Sequence, residues 1–400
     1  MLLMSAAMPI SWRIGLWVAL ALAGVSIVKI VAEKKIGNKA LCRGLRIPLY
    51  AGLAYWIMLV VGILYSNDTA TAWQVIVLKA GLLIFPLCFL LTDTTYLTAK
   101  HLRGCGYALL VSVCGVFLFF SVKAAIKMMG GATLTEVTGS YTFDPRHHAY
   151  TALYMTVAIV FALHEINRHW QEMKVWYRIL MAFSLGICML YVMIVNSRAG
   201  SLTMWVVTGG YVVFMAIFCK QWKLALLVCL LFAGVVLGMK ALVPKHTNRV
   251  EVSVSEMSGG NEDVRMKIYK AALHSAVEEP VVGHGTGDYY QLFLNNSINE
   301  IDGYAAKNVH NQYLETILST GIIGLIPFLM WLIWPIGWAW FKKNQNFFFI
   351  TMMVGVVMFN LLFESMLERQ MGLLFIGFLL SLIVLILSLE ENKFGSVAKS

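Results

Sequence analysis

Residues 371–389 read MGLLFIGFLLSLIVLILSL and contain no charged side chain. A bilayer is crossed by an α-helix of about 20 apolar residues, so this run is long enough to span one. Comparable runs recur along the 400-residue chain, which is 59% hydrophobic and 13% charged. A soluble domain has about 25% charged residues. These features predict an all-α polytopic membrane protein and exclude a β-barrel, whose spans would be about 10 residues of alternating polarity.

Hydropathy predicts eleven full spans. They lie near 15–32, 47–65, 72–91, 104–121, 147–163, 177–195, 199–218, 223–243, 320–340, 347–363 and 371–389. Residues 1–10 are apolar but too short to cross alone, so they form either a shortened twelfth span or an interfacial start. The predicted organisation is eight spans in residues 1–243, a large polar loop at 244–309 that contains helices, and C-terminal spans in 310–400.

The formal net charge of +10 is concentrated in alternate short loops, as the positive-inside rule describes, and indicates no nucleic-acid partner. One set of loops holds sixteen basic residues: Lys34, Lys35, Lys39, Arg43, Arg46, Lys100, Arg103, Arg168, Lys174, Arg178, Lys220, Lys223, Lys342, Lys343, Lys393 and Lys399. The alternate short loops hold five: Lys123, Lys127, Arg146, Arg198 and Arg369. The first set is predicted to be cytoplasmic, which puts the long polar loop on the outer side.

Two basic residues lie within or beside the predicted spans. Arg198 is the only charge in the tight turn 196–200, where it either reaches lipid headgroups or faces a substrate. Lys79 lies well inside the third span, and a lysine at mid-bilayer costs about 2.5–3.5 kcal/mol on insertion scales. It is therefore predicted to face the bundle interior, where it either forms an ion pair with a helix neighbour or lends charge to an anionic ligand.

The long loop contains a predicted helix at 263–279, where apolar side chains recur at helical spacing. Arg265 and Tyr269 are i,i+4 neighbours on it and are predicted to project together. Residues 283–287 then contain three glycines, whose backbone N–H groups could meet an anion. These glycines do not follow a strand, so a nucleotide-phosphate loop is not indicated.

Two segments that contain histidine lie at predicted helix starts on the outer side. Asn308 is the predicted cap of a helix that carries His310. The polar stretch 131–148 leads into the fifth span and ends in Arg146, His147 and His148. This second segment is either a capped helix start with interfacial side chains or one wall of a substrate site.

Together these outer groups form a cationic set with titratable imidazoles. Two arginines at separate helix ends suit a diphosphate, because guanidinium groups bind phosphate oxygens in bidentate fashion. A histidine titrates near neutrality and can accept a proton from a sugar hydroxyl. The outer acidic residues, Glu364 among them, are scattered along the sequence and predict no metal site. The residues therefore predict metal-free transfer from a lipid-linked diphosphate to a hydroxyl, without a cofactor.

Three short motifs occur in a fixed order around the long loop. They are Asn196-Ser197-Arg198-Ala199-Gly200, the Arg265 helix with Gly283-His284-Gly285-Thr286-Gly287, and Val309-His310-Asn311-Gln312-Tyr313-Leu314-Glu315 with Gly321-Ile322-Ile323-Gly324. In this order the motifs resemble the O-antigen ligase and polymerase family of bacterial envelope enzymes. The resemblance covers residues 141–324 in motif, with a looser match at Tyr141 to His148, and the whole chain in topology.

The resemblance implies a glycosyltransferase of the GT-C type in the bacterial inner membrane, with its active site facing the periplasm. Such enzymes take a glycan from undecaprenyl diphosphate, and in the ligases the acceptor is the lipid A–core oligosaccharide. Carried over by motif, Arg198 and Arg265 bind the diphosphate, and His310 is the general base or orients the acceptor hydroxyl. The further substrate-binding candidates are Arg146, His147, His148, Tyr269 and Lys79. The preferred function is an inverting, metal-independent O-antigen ligase, with membrane lipids as its surroundings.

Two other functions remain open. An O-antigen polymerase or a protein O-oligosaccharyltransferase of the same family shares the donor chemistry and differs only in the acceptor. A transporter or flippase of lipid-linked glycan would instead have an internal repeat, broken spans and charges throughout the membrane depth. No convincing repeat is visible, and the polar residues crowd one face. If the outer polar residues form one closed pocket, the enzyme is favoured. If they form a path that continues to the cytoplasm, the transporter is favoured.

Overall fold

The computed structural model describes residues 1–138, 143–242, 264–300 and 308–397, and all regular secondary structure within them is helical. The helices are α1 (Leu2–Ile10), α2 (Trp12–Glu33), α3 (Arg43–Val61), α4 (Thr69–Leu78), α5 (Gly81–Leu91), α6 (Ala99–Met129), α7 (Leu134–Val137), α8 (His148–His169), α9 (Val175–Val195), α10 (Arg198–Val213), α11 (Trp222–Leu242), α12 (Val264–Glu278), α13 (Tyr289–Glu300), α14 (Gln312–Phe341), α15 (Phe347–Phe363) and α16 (Gln370–Val397). Short 3₁₀ or π turns extend α3, α10 and the α15–α16 connection.

Nine helical segments in the described ranges are long and apolar enough to cross a membrane. The pair α4 and α5, bent by 46° at Lys79 and Ala80, makes a tenth, and α15 is an apolar helix of 17 residues. Each of the eleven predicted spans coincides with one of these segments. The prediction of an all-α polytopic membrane protein is confirmed.

The helix α1 is too short to cross a bilayer, and it packs against α2 and α6. Its residues Met4 and Met8 are buried, and the Ser112 hydroxyl of α6 donates a hydrogen bond to the Ala6 carbonyl at 2.6 Å. Residues 1–10 therefore pack as part of the helical bundle.

The helix α8 forms the centre of the bundle, with 94% of its most apolar stretch buried by protein. It packs against α6, α9, α10 and α15, and α16 is nearly as enclosed. A helix that is apolar on all sides is suited to such a position, because every face meets another helix. We call the end of the bundle that carries α12 and α13 the loop end. The opposite end, with the many Lys and Arg loops, is the basic end.

The helix α14 is interrupted at Gly321, which has φ +61° and ψ −165°. This break frees the N–H groups of Ile322 and Ile323, which donate to the carbonyls of Pro280 and Val281 at 3.0 and 3.3 Å. A Cβ at Gly321 would lie 2.1 Å from the Val281 carbonyl oxygen, so glycine is required by both conformation and space. The break thus attaches the polar loop to the bundle.

Candidate functional site

At the loop end, an imidazole and a carboxylate from distant parts of the chain meet. The His310 Nδ1 lies 3.2 Å from Glu364 Oε1, with His310 31% exposed and Glu364 5% exposed. When the carboxylate accepts the Nδ1–H, Nε2 carries the lone pair, which is the tautomer that a general base needs. Glu364 ends α15, and His310 lies in the connection between α13 and α14.

The backbone around His310 differs from the prediction that Asn308 caps its helix. The α14 helix begins at Gln312, and Asn311 caps it by accepting hydrogen bonds from the N–H groups of Tyr313 and Leu314. His310 precedes the helix with φ +51°, a left-handed conformation. Asn308 accepts from the His310 N–H at 3.1 Å and donates to Glu364 at 3.4 Å. The predicted cap was wrong, because Asn308 holds the His310 turn instead.

The loop helix α12 contacts the same turn. The Tyr269 hydroxyl lies 3.1 Å from the His310 carbonyl and 3.0 Å from the carbonyl of Leu362, which is two residues before Glu364. Arg265 is one turn earlier on α12 and partly buried, and its positive charge acts on Glu364. The structure therefore brings together Arg265, Tyr269 and His310, which the sequence placed up to 45 residues apart.

The charges around Glu364 keep it ionised. Burial works to raise the pKa of this carboxyl, but the hydrogen bond and charge of His310, with the charges of His147 and Arg265, outweigh burial. The pKa of Glu364 consequently lies below its ordinary value. Sequence reasoning missed this residue and treated it as one of several scattered acids. The available signal was its position, since it is a charge at the outer end of an apolar helix.

His147 and His148 lie at the start of α8, beside this group. Their rings stack at 4.8 Å, and His147 also meets the Tyr150 ring at 5.1 Å. Burial lowers the pKa of His147. The charge of Glu364 raises this pKa, and the charges of Arg369 and His310 lower it further. The buried His147 Nδ1 has no hydrogen-bond partner among the described residues. This places His147 in the electrostatic surroundings of the His310–Glu364 pair.

Arg146 does not present its guanidinium to the site. It is 16% exposed and binds Asp144 through Nε and Nη2, with further bonds to Tyr191 and the Pro9 carbonyl. These contacts join α1, α8 and α9 through one buried ion pair. Asp144, two residues away, thus binds Arg146 in a structural contact, and the substrate contact of Arg146 stays a prediction. Residues 139–142 of the predicted wall lie outside the described residues.

Arg198 is the first residue of α10, which Ser197 caps through a hydrogen bond from the Gly200 N–H at 3.3 Å. Its side chain is exposed at the loop end. The helix lies between α8 and α15, with Gly200 against Ala152 and Thr203 within 3.4 Å of Asn360. Arg198 therefore begins the helix whose neighbours carry His147 and Glu364.

Lys79 lies in the interior at the bend between α4 and α5. Its Nζ is 2.8 Å from Glu315 Oε1, and the two side chains are 2% and 0% exposed. The ion-pair alternative therefore describes the observed contact, with a partner on α14 and not on its own helix. The half-buried Glu368 is a neighbour of this pair. Burial and the negative charges of Glu315 and Glu364 raise the pKa of Glu368 well above its ordinary value, although the positive charge of Lys79 acts to lower it.

The glycine-containing segment 283–287 is used to dock the loop. The His284 N–H donates to the Leu318 carbonyl at 2.8 Å, and the Gly287 N–H donates to the Ser66 hydroxyl at 3.0 Å. The Asp288 carboxylate accepts the N–H groups of residues 67 and 68. The His284 and Gly287 N–H groups have protein partners, and an anion site on the backbone of this segment stays a prediction. Among the described residues, no group of three or more His, Cys, Asp or Glu could hold a metal.

Comparisons with known proteins address the same region. Residues 181–329 match a sequence family described as O-antigen ligase. An uncharacterized protein of Haemophilus influenzae is 27% identical over 136 residues, which cover 30% of this chain and 33% of that protein. The chain thus aligns with about a third of the length of this curated relative. The family match runs from α9 into α14, so it includes Arg198, Arg265 and His310 but not Glu364.

Proposed function

We propose that the chain is an envelope glycosyltransferase, because residues 181–329 match the family described as O-antigen ligase. In this proposal it takes a glycan from undecaprenyl diphosphate at the periplasmic face of the bacterial inner membrane. The acceptor is a hydroxyl of the lipid A–core oligosaccharide, and the transfer is inverting and metal-independent. The observation that supports it most is the His310–Glu364 pair, which lies at the loop end within the field of Arg265.

The His310–Glu364 pair supplies the base. Glu364 accepts the Nδ1–H and orients the ring, and Nε2 takes the proton from the acceptor hydroxyl. The hydroxyl oxygen then forms a bond to the anomeric carbon of the glycan. On the opposite face, the bond from this carbon to the phosphate oxygen breaks, which inverts the configuration. Both electrons of the broken bond leave with undecaprenyl diphosphate.

The two arginines stabilise the leaving group. Negative charge develops on the departing diphosphate, and guanidinium groups bind such oxygens in bidentate fashion. Arg198 lies at the start of a transmembrane helix and Arg265 on the loop helix, so they can act on the diphosphate from separate elements. Removing one preorganised donor of this kind typically slows a reaction about 10²- to 10³-fold. Tyr269 supports the same site by holding the His310 backbone, and His147 lies in the electrostatic surroundings of the pair.

A complementation assay tests the catalytic assignment. Arg198→Ala, Arg265→Ala and His310→Ala should each insert into the membrane but reduce glycan transfer about 100-fold or more. The control is Lys270→Ala, on an exposed position of the Arg265 helix, which should transfer normally. Normal transfer by all three site variants would refute the assignment. Loss of activity in EDTA, reversed by a divalent metal, would refute the metal-independent part.

The acceptor is tested separately, because a polymerase or a protein O-oligosaccharyltransferase would use the same donor chemistry. In a deletion strain, a ligase predicts loss of polymer on lipid A–core while lipid-linked polymer accumulates. If the protein is a polymerase, single repeat units should accumulate instead. If it is a protein O-oligosaccharyltransferase, its target proteins should be unglycosylated. An envelope glycan profile distinguishes these results. Unchanged glycans, with substrate moving across the membrane in a transport assay, would favour the flippase alternative.

A further inference from the structure

A second site lies at the basic end, away from the His310–Glu364 pair. A cavity of about 290 Å³ opens between α6, α8 and α16, near the start of α15. Its walls are mainly apolar, with Leu102, Phe161, Phe375, Leu379 and Ile383 among them. It is roughly twice the size of an apolar cavity of about 150 Å³ that binds benzene. The cavity can therefore hold a stretch of hydrocarbon chain.

The rim of this cavity is charged. Glu165 is 1% exposed and accepts hydrogen bonds from Arg103 and from the Tyr107 hydroxyl, so Arg103 compensates its buried charge. Arg168 donates instead to the side-chain carbonyls of Asn346 and Gln345, at 2.6 and 3.0 Å. Those amides are neutral and leave the positive charge of Arg168 in place.

An apolar interior below a cationic rim matches a molecule with the opposite arrangement of charge. We propose that this cavity binds one anionic phospholipid, with an acyl chain between α6 and α16 and the phosphate at Arg168. Its location at the basic end supports a lipid of the cytoplasmic leaflet, whose anionic headgroups attract basic side chains near the membrane surface. This inference does not depend on the proposed glycosyl transfer, because the two sites share no residue.

The charges at the rim of the cavity also determine which lipid headgroup is preferred. The Arg103–Glu165 pair is electrically balanced, so Arg168 supplies the discrimination between an anionic headgroup and a zwitterionic one. One basic side chain near an anionic surface corresponds to about a fivefold change in affinity. Binding should therefore need both the charge and the hydrocarbon chain. A glycerol phosphate without acyl chains has the headgroup but cannot fill the apolar part.

The test is native mass spectrometry of the full-length protein released from detergent. Phosphatidylglycerol should bind with one-to-one occupancy and about fivefold more tightly than phosphatidylcholine with the same chains. Arg168→Gln should remove this preference. Arg178→Gln, an arginine at the same end that does not line the cavity, should retain it. Glycerol 3-phosphate should not compete with the lipid.

A cavity-filling variant, Leu379→Trp, separates binding in the cavity from lipid on the outer surface. It should reduce the one-to-one occupancy at least as much as Arg168→Gln. Thermal unfolding checks that the variant is folded, and Arg168→Gln decides the question if it is not. Equal binding of the two lipids, or the same preference in Arg168→Gln as in Arg178→Gln, would overturn the proposal. Unchanged occupancy in a folded Leu379→Trp protein would overturn it as well.

Discussion

Replacing Lys79 by methionine removes one charge from a closed ion pair. The Lys79 Nζ lies 2.8 Å from Glu315 Oε1, and with exposures of 2% and 0% neither group is solvated by water. Methionine retains most of the length of the side chain, so the main effect is an uncompensated carboxylate at Glu315. Breaking a buried pair in this way destabilises a protein by about 3–5 kcal/mol. We expect Lys79→Met to lose stability in this range, which is at least a 100-fold change in the unfolding equilibrium.

The double variant Lys79→Met/Glu315→Met separates the lost attraction from the stranded charge. Replacing both members of a buried pair by apolar groups is often neutral, so it should recover most of the loss. The control is Lys123→Met. Lys123 Nζ lies 5.2 Å from the Phe119 ring centre on α6, and removing this contact should cost less than about 1 kcal/mol.

The free energy of unfolding can be measured by SDS titration in mixed micelles, followed by circular dichroism. A Lys79→Met protein as stable as wild type, or a double variant as unstable as the single one, would refute the buried-pair reasoning. Glycan transfer by the double variant gives a second result. A stable but inactive double variant would return Lys79 to the substrate-binding group, whereas an active one would make its role structural.

Three further predictions concern the loop end. Because the pKa of Glu364 lies below its ordinary value, its stabilising effect should be complete at neutral pH and disappear as the pH falls below about 4.3. The unfolding midpoints of wild type and Glu364→Gln should therefore converge in acid, and a widening gap would contradict this. Arg146→Met leaves the buried Asp144 without its ion-pair partner and should destabilise the protein by about 3–5 kcal/mol in the SDS titration. A smaller loss of stability than in Lys123→Met would refute a structural role for this ion pair. Gly321→Ala places a Cβ against the Val281 carbonyl at a positive φ and should cost more than about 1 kcal/mol, with faster proteolysis of the loop; unchanged digestion would count against the docking contact.

The membrane spans could be predicted because their signal is local. A run such as 371–389 is apolar over its whole length, and no tertiary contact is needed to recognise it. The bend at Lys79 and the break at Gly321 could not be predicted in the same way. Both positions contact partners far along the chain, namely Glu315 and the carbonyl of Val281, which no local pattern reveals.

The basic residues of the candidate site could be predicted from the sequence, but its carboxylate could not. His310 and Arg265 belong to short motifs, whereas Glu364 becomes significant only when the end of α15 packs beside them. The Asn308 error has a similar origin. Asn308 and Asn311 both suit a helix cap, and the hydrogen bonds to residues 313 and 314 select the second. The ion pair between Arg146 and Asp144 was not predicted, because Asp144 was considered only as a helix cap.

The Tyr269 hydroxyl contacts the backbone at both His310 and Leu362. One side chain of the loop helix thus fixes the position of that helix relative to the two segments that hold His310 and Glu364. The contact matters for chimeras with other proteins that match the same sequence family. A transplanted loop should carry residues 264–324 and 359–370 together, because a donor tyrosine set to a different spacing would separate the imidazole from its carboxylate. The segments that must be exchanged together are therefore discontinuous in sequence. Exchange of the loop alone would transfer its surface without the complete His310–Glu364 pair.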